Sequence, residues 1–405
     1  MGFAWIDQYR FRQNPREPSF YRDPYSVYQR LHQRGGPVFW EDYGMWCLTG
    51  FKEVDQCLRD KRFARLPPPG QERAPYPSHL ASFAATEQFS LLALEPPQHT
   101  RLRKLVNRAF VTRQVEKMAD EIEQLAHQCI DRFEADQQAE LLRQYATPIP
   151  AIVIARLLGV PESETDELLR WSHAMVKVYT MTQTIDEEIE ANTAASEFVQ
   201  RLRELIIEKR RCPANDLLSH LIEQQSRDDG PTDEEILCVS ILLLNAGHEA
   251  TVHQLGNGIV RLLQAPPSIT QWWKDDATVD AMVAECMRFD APLHLFTRFA
   301  QEKVALADDV TIDAGTEIAL LLGAANRCPQ QFANADVFSP ERSDLNHVSF
   351  GAGLHLCVGA PLARLELRIA LSVLFDRLPG MWLQSPPLHR DSFHFHGLEA
   401  VNVSW

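Results

Sequence analysis

Apolar residues return at helical spacing through most of this chain, while stretches of strand-like alternation are few and short. Periods of three and four predict helices over residues 24–34, 51–60, 95–110, 114–133, 141–158, 163–182, 186–211 and 280–290. Another opens at Pro361 and runs through Leu362, Ala363, Leu365 and Ile369. The longest starts from Thr232-Asp233-Glu234-Glu235, a capping box with Glu235 at the third helical position. Its Ile236, Leu237, Val239, Ile241, Leu242, Leu243 and Leu244 are apolar nearly all round, the mark of a helix buried through a core. Residues 37–40 and 45–49 read as a hairpin about Tyr43-Gly44, residues 292–298 as extended, and 304–322 and the chain beyond Pro379-Gly380 as further β structure. From 65 to 90 the pattern dissolves into prolines, Gly70, serines and scattered aromatics, so a long loop, functional or disordered, is expected. The fold class is mainly α with small β regions, in a single domain over 1–405 with no linker.

Composition changes this picture little. The chain is 45% hydrophobic and 23% charged, proportions that allow a sizeable core. Forty basic residues against fifty-five acidic give a net charge of −15, which speaks against nucleic acid and anionic membrane as partners. Arg101, Arg103, Lys104 and Arg108 nevertheless crowd one predicted helix and Arg364 and Arg368 another, a basic patch suited to an acidic partner. The eight cysteines are scattered without a Cys-x-x-Cys pair, as in a reducing interior. No signal peptide and no apolar run near about 18 residues is visible, and Ile6 stands where a myristoylation signal after Gly2 needs Ser or Thr. A soluble, cytoplasmic monomer is expected.

Chemistry concentrates around Cys357. Gly351, Gly353 and Gly359 allow a tight loop with positive φ, and Pro361 places the sulfur at a helix N-terminus, where unpaired N–H groups favour thiolate. A lone cysteine is otherwise a small hydrophobe, and a structural zinc needs four ligands that one Cys and one His cannot supply. The complete string Phe350-x-x-Gly353-x-His355-x-Cys357-x-Gly359-x-x-Leu362-Ala363-Arg364 resembles the haem-ligand loop of the cytochrome P450 family.

That resemblance implies the cytochrome P450 fold, a triangular-prism-like domain with haem b between the long central helix and the Cys-bearing loop and helix. Cys357 would be the proximal iron ligand, with Phe350, Gly351 and Gly359 shaping its loop. Pro96-Pro97-x-His99-x-x-x-Arg103 resembles the family's haem-propionate helix. His99, Arg103, Arg298 and His355 are the cations expected on two carboxylates that would be costly to bury unpaired. Arg101, Lys104 and Arg108 point elsewhere on that helix and, with Arg364, are expected to meet a ferredoxin or flavodoxin that carries electrons from NAD(P)H through its reductase.

In the long helix the texture changes abruptly to Asn245-Ala246-Gly247-His248-Glu249-Ala250-Thr251. Glycine and a carboxylate inside a buried helix are locally unfavourable, and such violations mark function. The segment resembles the family's oxygen-binding Ala-Gly-x-Glu/Asp-Thr, where the glycine makes room for O2, the acid gates protons and the threonine hydroxyl assists. Ala246, Gly247 and Glu249 match, but Ala250 replaces the threonine, and Thr251 lies about 100° further round the helix, so it cannot simply substitute. Proton delivery through water or a substrate hydroxyl is expected instead. Asn245 could bond a ligand, the plainer reading being a bond to its own helix.

Glu285, Arg288 and Arg342 resemble the family's structural Glu-Arg-Arg triad, and residues 324–329 its Ala-Asn-Arg-Asp-Pro turn, with Cys328 for the aspartate and Asn326 to compensate. By the same resemblance Tyr76, Phe83, Phe89, Leu244, Leu293, Leu295, Phe296, Phe393 and His394 are pocket candidates, and helices around 165–205 form a lid. The implied activity is a haem-thiolate monooxygenase of secondary metabolism, inserting one atom of O2 into a small, moderately hydrophobic molecule, hydroxylation first. Ala250 keeps open a peroxide-driven or rearranging haem-thiolate enzyme. A non-catalytic haem sensor or electron carrier is the third reading, against which Glu249 and the loop at 65–90 speak.

Overall fold

Capping chemistry starts the longest helices of the computed structural model, which describes residues 4–5, 8–179, 183–265 and 275–405. The Glu235 amide donates to Thr232 Oγ1 at 3.2 Å and the Thr232 amide to Glu235 Oε2 at 2.9 Å, so the helix Asp233–Gln264 begins where its sequence demands. Thr184 with Glu187 heads Ile185–Arg211, and Asp275 with Thr278 starts Asp276–Phe289 earlier than the apolar pattern indicates. By length and composition the Asp233–Gln264 helix could cross a membrane, contrary to the expectation of no such run. Its apolar window is 83% buried inside the protein, so that surface is already covered.

Prolines and helix-neutral residues account for other departures from expectation. The stretch 141–158 is not one helix, because Pro148 cannot donate to the preceding turn; a wide turn at Leu142–Ala146 precedes a regular helix Pro148–Leu158. Residues 114–133 divide into Thr112–Val115, Glu116–Met118 and Ala119–Asp131. Within the expected loop at 65–90, Ser78–Leu80 and Ala81–Glu87 are helical, the second favoured by its alanines. A helix at Leu217–Gln224 was not expected; Asp216 caps it by accepting from the Ser219 amide at 2.8 Å. The helix expected over 163–182 runs Thr165–Val176 with a tight turn Lys177–Tyr179. Its residues 180–182, like Gly2 and Ile6, lie outside the described residues.

The chain packs as two compact units built from interleaved segments. The first, Met1–Glu72, Ala119–Ala146 and Ala250–Trp405, holds every described strand. Its seven-stranded sheet has the spatial order Ala4–Trp5, Arg10–Arg12, Val38–Trp40, Met45–Leu48, Glu317–Leu321, Leu295–Ala300, Phe63–Ala64. The hairpin about Gly44, at φ +63°, is as expected. Phe11, Phe20, Trp40, Leu295 and Phe393 are buried together against this sheet. The second unit, Arg73–Met118 and Thr147–Glu249, is helical throughout its described elements. Trp171 stacks on Phe198 at 5.1 Å and donates to Glu197 at 2.8 Å, joining Thr165–Val176 to Ile185–Arg211.

A buried polar knot in the first unit bears on stability. Tyr25 donates to Asp290 Oδ1 at 2.5 Å, His396 Nε2 lies 3.2 Å from the same oxygen, and Tyr28 shares a bond with His294 Nδ1 at 2.7 Å. Burial pushes the Asp290 carboxyl up, but His396 and Tyr25 outweigh it and hold the group below its usual range. His294 is pushed well down, first by burial and then by His396, so it stays neutral in the folded protein. The unfolded chain protonates this imidazole below about pH 6.5 while the folded one does not, so folding stability is present above that pH and is lost as pH falls. Urea unfolding of His294→Gln is therefore expected to lose less stability between about pH 7.5 and 5.5 than the natural sequence. An equal loss in both would remove His294 from this account.

Candidate functional site

Cys357 sits on a loop that only glycines can form. Gly351 and Gly353 have φ of +67° and +68°, and a Cβ on Gly353 would come within 2.4 Å of the Leu58 carbonyl oxygen. The Cys357 amide donates to the Phe350 carbonyl at 2.9 Å, and the chain then enters the helix Ala360–Arg377 through Gly359 and Pro361. Six of the eight free cysteines are buried, and burial raises the Cys57 thiol to about 12; Cys357 and Cys212 are exposed. Leu354 and Leu356, close to Cys357 in the chain, are 45% and 44% exposed. Arg364 lies over the Phe350 ring at 4.6 Å and within electrostatic reach of Cys357. An exposed sulfur at a helix N-terminus, with uncovered apolar side chains close to it in the chain, fits a thiolate-bound apolar macrocycle.

Behind this loop the expected triad comes together. Arg288 donates to Glu285 at 2.7 and 2.8 Å, and Arg342 Nε to Glu285 at 2.9 Å, with the Glu285 and Arg288 side chains fully buried. Arg288 also donates to the carbonyls of Asn326 and Ala335, and the Ser339 amide to Glu285. Asn326 does more than compensate for the missing aspartate. Its side chain accepts from the Val348 amide at 2.9 Å and donates to Ser349 Oγ at 2.8 Å, and Ser349 Oγ donates to the Met287 carbonyl at 2.8 Å. Cys328 turns its thiol to Gln330 instead.

The expected propionate cations fall on both units. Arg298 is buried on the strand Leu295–Ala300, donating to the Thr297 carbonyl at 2.8 Å, and His355 is half-buried in the cysteine loop. On the helix Gln98–Phe110, His99 is fully buried and Arg103 half-buried, its Nε donating to Asn107 at 3.0 Å. Lys104 and Arg108 are exposed as expected, but Arg101 is not free for a partner. It pairs with Glu235 and reaches the Asp229 carbonyl at 3.3 Å, because the capping box leaves one Glu235 oxygen facing it.

The long helix continues unbroken through 245–251. Leu244, Asn245, His248, Glu249 and Thr251 are buried, whereas Ala246 is exposed and Gly247 and Ala250 half-exposed, a bare strip on an otherwise covered helix. A Cβ on Gly247 would meet Ile154 at 2.8 Å, so close helix packing is one physical reason for this glycine. Asn245 does not bond its own helix; its Nδ2 faces Met175 Sδ at 3.8 Å and its Oδ1 is buried without a hydrogen-bond partner. Glu249 Oε2 lies 3.2 Å from His173 Nε2 and 3.7 Å from His248 Nε2. Sequence reasoning missed both histidines, since His173 is on a different helix and no spacing connects it to Glu249.

Several pocket candidates are buried among other side chains. Leu295 and Phe393 lie in the apolar core beside the sheet, and Phe83 is fully buried between Tyr76 and Tyr179 at 5.5 and 5.8 Å. Phe89, Leu293, Phe296 and His394 are half-buried, Leu293 bridging to Phe395 and Phe296 lying against Gly351.

A family model described as Cytochrome P450 matches residues 19–271 and 277–379. The biotin biosynthesis cytochrome P450 of Bacillus subtilis (strain 168) is 33% identical, covering 95% of this chain and 97% of that one. The 6-deoxyerythronolide B hydroxylase of Saccharopolyspora erythraea is 33% identical, over 96% and 93%. Among solved structures, P450BioI in complex with hexadec-9Z-enoic acid ligated acyl carrier protein superimposes with a TM-score of 0.89 at 32% identity, over 96% of this chain and 99% of that one.

Replacing Glu285 with alanine leaves two guanidinium groups unpaired behind the cysteine loop, a loss of about 3–5 kcal/mol. The variant is expected to yield little haem-loaded protein, and a normal ratio of haem absorbance to protein would refute the assignment.

Proposed function

The chain belongs to the cytochrome P450 family, haem monooxygenases that incorporate oxygen into organic substrates, and we propose that it hydroxylates a moderately hydrophobic molecule bearing a hydroxyl or carboxylate. The observation that carries this reading is the exposed Cys357 on its glycine loop, supported by the bare strip at Ala246 and Ala250. Haem b, when bound, supplies the one-electron and O2 chemistry. Cys357 would hold its iron, and His99, Arg103, Arg298 and His355 its carboxylates.

Glu249 holds the proton-handling position on the long helix, with half-exposed His173 leading outward from its carboxylate. Ala250 has no hydroxyl to pass that proton on, and Thr251 is buried on another face, so ordered water or a substrate hydroxyl completes the path. Lys104 and Arg108 on the second unit are exposed cations offered to an acidic ferredoxin or flavodoxin, and Arg364 on the first unit is likewise exposed. Two relatives support a hydrophobic substrate, one being named 6-deoxyerythronolide B hydroxylase and another solved with hexadec-9Z-enoic acid on its acyl carrier protein. Action in the cytoplasm, as a monomer, is part of the proposal.

Reduced protein exposed to carbon monoxide is expected to show the long-wavelength absorption maximum of sulfur ligation, and survival of that spectrum in Cys357→His would overturn the assignment. With the true substrate, the natural enzyme is expected to couple NAD(P)H consumption tightly to product. Poor coupling that Ala250→Thr repairs would rule out substrate-assisted protonation.

A further inference from the structure

We propose that His173, His248 and Glu249 form a binding site for a divalent transition-metal ion, zinc foremost, within the second compact unit. One donor atom from each lies within 4.8 Å of the other two. His173 Nε2 and His248 Nε2 stand 3.2 and 3.7 Å from the same Glu249 oxygen. Ligands about 2.0–2.2 Å from a tetrahedral zinc ion are themselves about 3.3–3.6 Å apart, so these spacings need only small side-chain adjustment. Two imidazoles and one carboxylate are a donor set that zinc favours over magnesium or calcium.

The orientation of His248 supports the same conclusion. Its Nδ1 is 2.8 Å from the Leu244 carbonyl oxygen, which can only accept, so Nδ1 carries a hydrogen and Nε2, on the Glu249 side, is the nitrogen that can bind a metal. A backbone carbonyl behind an imidazole is the usual means of fixing a metal-binding tautomer. The two rings are 5.7 Å apart and tilted by 58°, consistent with approach to one point from different directions. His173 comes from Thr165–Val176 and the other two from Asp233–Gln264, so a bound ion would tie two helices of this unit. The His173 side chain is 48% exposed against 3% and 7% for its partners, which leaves an entry side and a fourth position for water.

Asp290, His294 and His396 also place donors within 4.8 Å, but Tyr25 and Tyr28 already bond Asp290 and His294, and the knot is closed. The consequence for turnover rests on the proton role proposed for Glu249: an ion held there would immobilise the carboxylate and slow product formation.

The test is zinc titration of the haem-loaded protein against a chromophoric zinc indicator. One low-micromolar or tighter site is expected, weakened at least about tenfold in both His173→Ala and His248→Ala, and unchanged in His220→Ala, a histidine of the same unit outside the cluster. His173→Ala alters a half-exposed helix position, so a folding failure of His248→Ala would not remove the test. Affinity that survives the His173 and His248 substitutions, or the absence of any such site, overturns the proposal. Zinc is also expected to inhibit the natural enzyme over the same concentration range and His173→Ala much less. Binding lost with the substitutions but without effect on turnover supports the metal site and instead removes Glu249 from proton delivery.

Discussion

The cysteine loop depends on a buried charge knot. Glu285 accepts from both Arg288 and Arg342, so one carboxylate serves two guanidinium groups, and the remaining positive charge is met by carbonyl dipoles of Asn326, Ala335 and Val337. In a medium of low dielectric such a group is stable only when every donor is met, which makes the arrangement close to all-or-none. Asn326 couples it to function: its backbone oxygen receives Arg288 while its side chain holds Val348 and Ser349, at the threshold of the Cys357 loop. The position of one sulfur is therefore fixed by charges that never touch it.

The long helix imposes a different constraint. Its apolar surface is covered almost everywhere, yet it carries Asn245, His248, Glu249 and Thr251 in succession or nearly so, all buried. Burying this much polarity costs stability unless partners are present, and the partners include His173 from a neighbouring helix and the carbonyl of Leu244. Ala250 stands within this polar stretch with no hydroxyl to donate.

Elements with strong local causes were legible in the sequence: the capping box at Thr232, the glycine loop around Cys357 and the Gly44 hairpin follow from residues a few places apart. The triad was legible only through resemblance to a family, since nothing in the spacing of Glu285 and Arg342 implies contact. Readings failed where long-range packing decides. Arg101 looks like a surface cation by helical phase, but the Glu235 carboxylate takes it up. His173 was invisible for the same reason, its meaning lying entirely in what the fold brings beside it.

Within the segment between the Asn326 turn and Arg342, Ala333 and Val337 are gripped by their main chain. Arg342 takes the carbonyls of Ala333 and Val337, and Arg288 those of Ala335 and Val337, while the side chains of Ala333 and Val337 project into solvent. A carbonyl oxygen is the same whichever residue supplies it, so these two positions can drift in sequence without changing the course of the chain, whereas Phe332 and Phe338 on either side of them are held by their rings. Asn334, at φ +49°, is an exception set by its own backbone, where glycine would be the natural substitute. Two lineages could thus differ at Ala333 and Val337 and still present the same scaffold to the Cys357 loop.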